Sequence, residues 1–131
     1  MPLSLPALTT LLALLWYMVT VFNVGRMRTR YKVKAPATTG DPAFERAYRV
    51  QMNEIEQLII FLPSMWIYAW FGNPRYAALA CCVYILGRVI YAVGYWSAAA
   101  KRGIGYTISM FATSVTWVAA LVSVVKWLDF A

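Results

Sequence analysis

The chain has 131 residues, 62% of them hydrophobic, a formal net charge of +7 and no histidine. There is too little polar sequence to coat a soluble core, and uncharged runs long enough to cross a bilayer recur along its length, which defines a polytopic membrane protein of one compact bundle. Without imidazole the usual general base and most transition-metal sites are excluded, and Cys81 and Cys82 alone cannot complete a ligand set.

The first predicted span covers residues 3–24, apolar apart from hydroxyls and Asn23. Positive charge follows this run, from Arg26 onward, whereas a secretory signal carries it in front. The segment is therefore expected to be a retained helix with its amino end on the non-cytoplasmic side. Residues 30–42 read as a polar loop broken by Pro36, Gly40 and Pro42.

The second span, 44–71, is the least apolar. Its uncharged part, residues 57–71, makes only about 22 Å of helix, short of a hydrocarbon core of ~30 Å. Extending it to full length draws Asn53, Glu54 and Glu56 to lipid depth. Pro63 is expected to kink this helix, and Gly72-Asn73-Pro74 to end it.

The third span, 74–100, holds Arg88 as the lone charge of residues 76–100. A guanidinium at that depth costs several kcal/mol unless it meets a partner or a wet cavity. Tyr84, Arg88, Tyr91 and Tyr95 recur at spacings of 4, 3 and 4 and so share one helix stripe. Adjacent side chains on a helix point about 100° apart, so Cys81 and Cys82 read as packing residues, not a disulfide. Residues 101–103 connect to a fourth span, 104–125, with Lys126 and Trp127 as interfacial anchors.

Seven of the twelve lysines and arginines lie from Arg26 to Arg49. Interleaved with apolar spans, they fit membrane topology better than nucleic-acid binding and assign loops 25–43 and 101–103 to the cytoplasm. Counted from the tight turn between spans two and three, Glu56 and Tyr91 both lie about 24 Å away, with Arg88 a turn deeper. Arg46, Arg49, Asn53 and Glu56, spaced 3, 4 and 3, share a face of span two. Glu56 or Glu54 could simply neutralise Arg88. That pairing leaves Arg49, Asn53, Tyr91, Tyr95 and Arg102 unexplained; the whole set suits a small zwitterionic or polyanionic ligand.

Residues 40–53, with Phe44-Glu45-Arg46, Tyr48-Arg49, Gln51 and Asn53, resemble the signature of the MAPEG family, the membrane-associated proteins of eicosanoid and glutathione metabolism. Thr38-Thr39, the stretch Arg88 to Tyr91 and Gly94-Tyr95, and Arg102 continue the likeness, which covers nearly the whole chain. The pattern is most similar to the branch with microsomal glutathione transferases, cysteinyl-leukotriene synthase and the lipoxygenase-activating protein. The resemblance implies an all-α, four-transmembrane-helix protomer forming one domain over residues 1–131, assembled as a homotrimer with glutathione as co-substrate between subunits. By the same resemblance Arg49, Asn53, Glu56 and Tyr91 hold the γ-glutamyl end and peptide backbone of glutathione. Arg28 and Gln51, with Tyr95 close by, lie near its glycine carboxylate; Arg102 activates the thiol and Arg88 supports the site. Three positions depart from the leukotriene synthase: Gln57 replaces a tyrosine, Thr29 an arginine and Glu54 a cysteine, which puts leukotriene synthesis itself in question.

The expected activity is thus a glutathione transferase acting on lipophilic electrophiles, with peroxidase activity toward lipid hydroperoxides following from the same thiolate. Arg102, expected at the carboxyl end of the third helix, would work against that helix's dipole. A bacterial inner membrane is the expected location, the endoplasmic reticulum if the source is eukaryotic. Two other classes fit the span count: a non-catalytic lipid-binding or scaffold member of the family, and a small four-span exporter using a buried glutamate.

Overall fold

In a bilayer each backbone N–H and C=O must be satisfied within its own segment, so long apolar runs fold as helices. In the computed structural model, which describes residues 2–129, they form α1 (Ser4–Tyr31), α2 (Pro42–Phe71), α3 (Pro74–Ser97) and α4 (Gly103–Asp129), with a 3-10 turn at Ala99–Arg102 before α4. No strand occurs among the described residues. The all-α membrane architecture expected from sequence is the one observed.

Helix ends follow local chemistry. Asp41 caps α2 by accepting from the Ala43 N–H at 2.8 Å, with Pro42 at the first helical position, where no N–H is needed. Asn73 caps α3 by accepting from the N–H groups of Arg75 and Tyr76 at 2.9 and 3.2 Å. The helix of α1 runs past its apolar stretch to Tyr31 and stops at Lys32, in the left-handed region. Arg26, Arg28 and Arg30 therefore stand on a helix that projects beyond the apolar stretch. α2 continues through Pro63, where Ser64 Oγ donates to the Ile60 carbonyl at 2.7 Å.

Among the described residues three segments are long and apolar enough to span: α1, α3 and the stretch 99–129. α2 falls short because its first half carries charge, yet it packs against all three other helices. Glu54, Gln57 and Ser64 face protein, as polar groups at that depth must, whereas Arg49 and Glu56 are exposed. Small residues let the backbones approach. A Cβ added at Gly87 would lie 2.6 Å from the Ser109 backbone nitrogen, and one at Gly105 would strike the Tyr91 backbone. α3 and α4 thus cross in close contact at the level of Arg88.

Below that crossing Phe61 stacks on Tyr84 with ring centroids 4.1 Å apart, amid Ala13, Leu58, Met65 and Cys81. At the end carrying the 32–41 loop, Val24, Val33, Phe44 and Ala47 form a second core. Arg28 pins that loop, donating to the Ala37 carbonyl at 2.7 Å while its guanidinium lies over the Phe44 ring. At the opposite end Trp127 Nε1 donates to the Phe71 carbonyl at 3.0 Å and ties α4 to α2.

Candidate functional site

Arg49, Asn53 and Glu56 recur at helical spacing and project from one face of α2; Tyr91 and Tyr95 do the same on α3. The two faces meet. Arg49, Met52, Asn53, Glu56, Tyr91, Tyr95 and Arg102 line a cleft of about 280 Å³. Through Arg49 and Tyr95 it adjoins a wider depression of about 590 Å³ that includes Thr38, Thr39, Glu45, Arg46 and Tyr48. Both lie at the end of the bundle with the 32–41 loop and the 3-10 turn.

Arg88 is not a lining residue. Its side chain is fully buried, and its three guanidinium nitrogens are divided among three partners. Nε donates to Glu54 Oε2 at 2.9 Å, Nη2 to Asn53 Oδ1 at 2.7 Å and Nη1 to Ser109 Oγ at 3.4 Å. The Tyr91 ring covers the guanidinium at 4.2 Å. Of the two candidate acids, Glu54 takes the arginine and Glu56 is left exposed in the cleft. Arg88 therefore stands behind the cleft, because Asn53 and Tyr91 lie between it and the opening.

Tyr91 is held edge-to-face by Tyr95, centroids 5.6 Å apart, and flanked by Tyr106 of α4 at 6.3 Å. Arg46 Nε donates to the Trp96 carbonyl at 3.2 Å, which joins the start of α2 to the end of α3.

Arg102 does not stand at the carboxyl end of the third helix, where it was expected. α3 ends at Ser97, and the intervening turn places Arg102 immediately before Gly103, the first residue of α4. The nearest helix terminus is therefore an amino end, whose dipole favours an anion. Arg102 Nη1 donates to the Ala99 carbonyl at 2.6 Å, and its guanidinium lies 5.7 Å from the Tyr95 ring centroid. Both contacts aim the cation over the cleft.

Arg28 and Gln51 do not join this group within one protomer. Arg28 is committed to the loop, and Gln51 is offset from Asn53 by roughly 200° around α2. Gln57 is buried outside the cleft, and Thr29 Oγ1 turns back on the Gly25 carbonyl. Met52, Ser109 and Tyr106 were not anticipated. A serine on an apolar helix is a detectable signal, but its spacing does not show which face of α4 turns toward α3.

A helical membrane bundle with a mixed-charge cleft at one end, backed by a buried arginine, is the class that fold and site define. The chain belongs to the MAPEG family, which it matches over residues 6–122. An uncharacterized protein of Synechocystis sp. is 47% identical over 119 residues, 91% of this chain and 87% of that protein. Microsomal glutathione S-transferase 2 of Homo sapiens is 43% identical over 88 residues, 67% of this chain and 60% of that protein. Leukotriene C4 synthase of Cavia porcellus is 37% identical over 99 residues, 76% of this chain and 66% of that protein. The matched segments thus span about two thirds or less of the length of these two relatives.

Proposed function

We propose that this protein is a membrane-bound glutathione transferase that makes the glutathione thiol anionic for attack on lipophilic electrophiles. The observation that carries the reading is the convergence of Arg49, Asn53, Glu56, Tyr91, Tyr95 and Arg102 on one cleft. Glutathione presents an α-amino acid end, two peptide groups and a second carboxylate. Glu56 is the free acid available for its ammonium, and Arg49 and Asn53 supply donors for carboxylate and peptide oxygens.

The thiolate is the nucleophile, and a free thiol is mostly protonated at neutral pH. Lowering its pKa by two units needs about 2.7 kcal/mol. Arg102 and the amino end of α4 both act in that direction. Arginine holds its own proton, so the thiol proton leaves to water. Attack forms a carbon–sulfur bond and sends the displaced electron pair to the leaving group or the conjugated acceptor. Toward a lipid hydroperoxide the same thiolate attacks oxygen, releases the alcohol as the O–O bond breaks, and a second glutathione resolves the sulfenic acid to disulfide and water.

Arg102 is exposed in a single protomer, where water screens its charge. A second copy packed over the cleft removes that water. It also offers a place for Arg28 and Gln51, which cannot reach the cleft of their own subunit. A homotrimer with sites between subunits accounts for both. Exposed apolar residues such as Leu8 and Leu11 on α1 and Phe111 and Trp117 on α4 provide the lipid-side approach for the electrophile.

Calorimetric titration of detergent-solubilised protein with glutathione tests this. Saturable binding by the wild type is expected, weakened at least about tenfold in Arg49→Ala by loss of a charge-assisted contact. No binding by the wild type overturns the proposal.

A further inference from the structure

The buried arginine does more than find a counter-ion. Arginine has only donors, so the Asn53 amide atom facing Arg88 Nη2 at 2.7 Å must be its oxygen. Asn53 also lines the cleft. With Oδ1 turned to Arg88, the atom its side chain turns away from the arginine is Nδ2, a donor. An unconstrained asparagine can turn either atom outward and so accept from an amine as readily as it donates to a carboxylate.

Arg88 is itself fixed. Glu54 Oε2 accepts from Nε, Ser109 Oγ from Nη1, and the Tyr91 ring covers the guanidinium face. Glu54 has a second consequence. Glu56 is two residues away on α2 and lines the cleft. An Arg88 without Glu54 would have Glu56 as the remaining acid of this stretch, and pairing there would remove the cleft's carboxylate from ligand binding.

We infer that Arg88, anchored by Glu54, is a positioning residue that locks Asn53 as a hydrogen-bond donor and thereby sets specificity for the α-carboxylate of the ligand's amino acid end. This rests on the reading of the cleft as a glutathione site. Labour is then divided: Asn53, with Arg49, reads the carboxylate, and Glu56 reads the ammonium.

The test compares three ligands by calorimetry: glutathione, its analogue with γ-aminobutyrate in place of the γ-glutamyl residue (no α-carboxylate), and its analogue with glutarate there (no amine). In the charge-neutral double variant Glu54→Leu/Arg88→Met, the preference for glutathione over the carboxylate-free ligand is expected to fall about tenfold, the worth of one charge-assisted hydrogen bond. The preference over the amine-free ligand stays within about twofold. A purely structural Arg88 would weaken all three ligands alike and leave both preferences unchanged, which overturns the inference while leaving glutathione binding intact. Asn53→Asp, nearly isosteric, gives a second reading should the double variant not fold. It replaces the donor by an acceptor, so the carboxylate preference must fall there too; its retention overturns the inference. Failure of the wild type to bind glutathione removes both this inference and the functional reading beneath it.

Discussion

Arg88 Nε lies 2.9 Å from Glu54 Oε2, the sole ion pair among the described residues, and the two side chains are 0% and 1% exposed. Neither water nor lipid headgroup can substitute for either partner. The pair joins α2 to α3 and, through Ser109, to α4.

Removing one partner leaves an uncompensated buried charge. Glu54→Ala is expected to destabilise the folded protein by about 3–5 kcal/mol, while Glu54→Leu with Arg88→Met recovers most of the loss. Denaturant titration in detergent, followed by tryptophan fluorescence, measures both. A single variant as stable as wild type would contradict the sealed environment of the pair.

The α3–α4 crossing permits no side chain at Gly105, where a Cβ would meet the Tyr91 backbone and the Gly87 carbonyl. Gly105→Ala is expected to cost about 3 kcal/mol, the upper end for overpacking, because backbone cannot rotate aside. Gly25→Ala, on α1 with open space around it, is expected to gain about 0.5–1 kcal/mol from helix propensity. The same denaturant titration ranks the two; equal effects would mean the helices do not cross as closely as described.

Arg102→Ala is expected to leave glutathione bound but protonated. The ultraviolet thiolate band that appears when wild-type protein binds glutathione should vanish at neutral pH and return only in alkali. A two-unit rise in the bound thiol's pKa corresponds to about a hundredfold loss of thiolate at pH well below it. Persistence of the band in the variant would assign activation elsewhere.

Sidedness is tested by single cysteines in a Cys81→Ala/Cys82→Ala background. Ala37→Cys, in the loop before α2, is expected to react with a membrane-impermeant maleimide from the cytoplasmic face. Arg75→Cys, at the opposite end of the bundle, should react from the other face alone. The reverse pattern would invert the orientation drawn from the cation-rich loops.

Much of the architecture was readable before any coordinates. Hydropathy placed the helices, and Gly72-Asn73-Pro74 placed the turn. Because α2 and α3 are antiparallel across that turn, residue counting put Glu56 and Tyr91 at one depth, and they do line one cleft. The same counting could not choose between Glu54 and Glu56 for Arg88. Depth is one coordinate, and the choice depends on the rotation of α2 about its axis, which packing against three neighbours decides. The connection before α4 was also illegible in detail: a short polar segment can prolong one helix or begin the next. Here it forms a 3-10 turn leading into α4, and that reverses the sign of the dipole beside Arg102.

What lay in the chain itself was the inventory and its levels: four helices, a buried cation, and acids, amide and phenols at matching heights, because periodicity and bilayer thickness are properties of one dimension. What required the folded bundle was partnership. Which carboxylate Arg88 holds, which amide atom Asn53 turns outward and which helix end stands beside Arg102 all depend on how neighbouring helices are rotated about one another, and no spacing along a single chain encodes that.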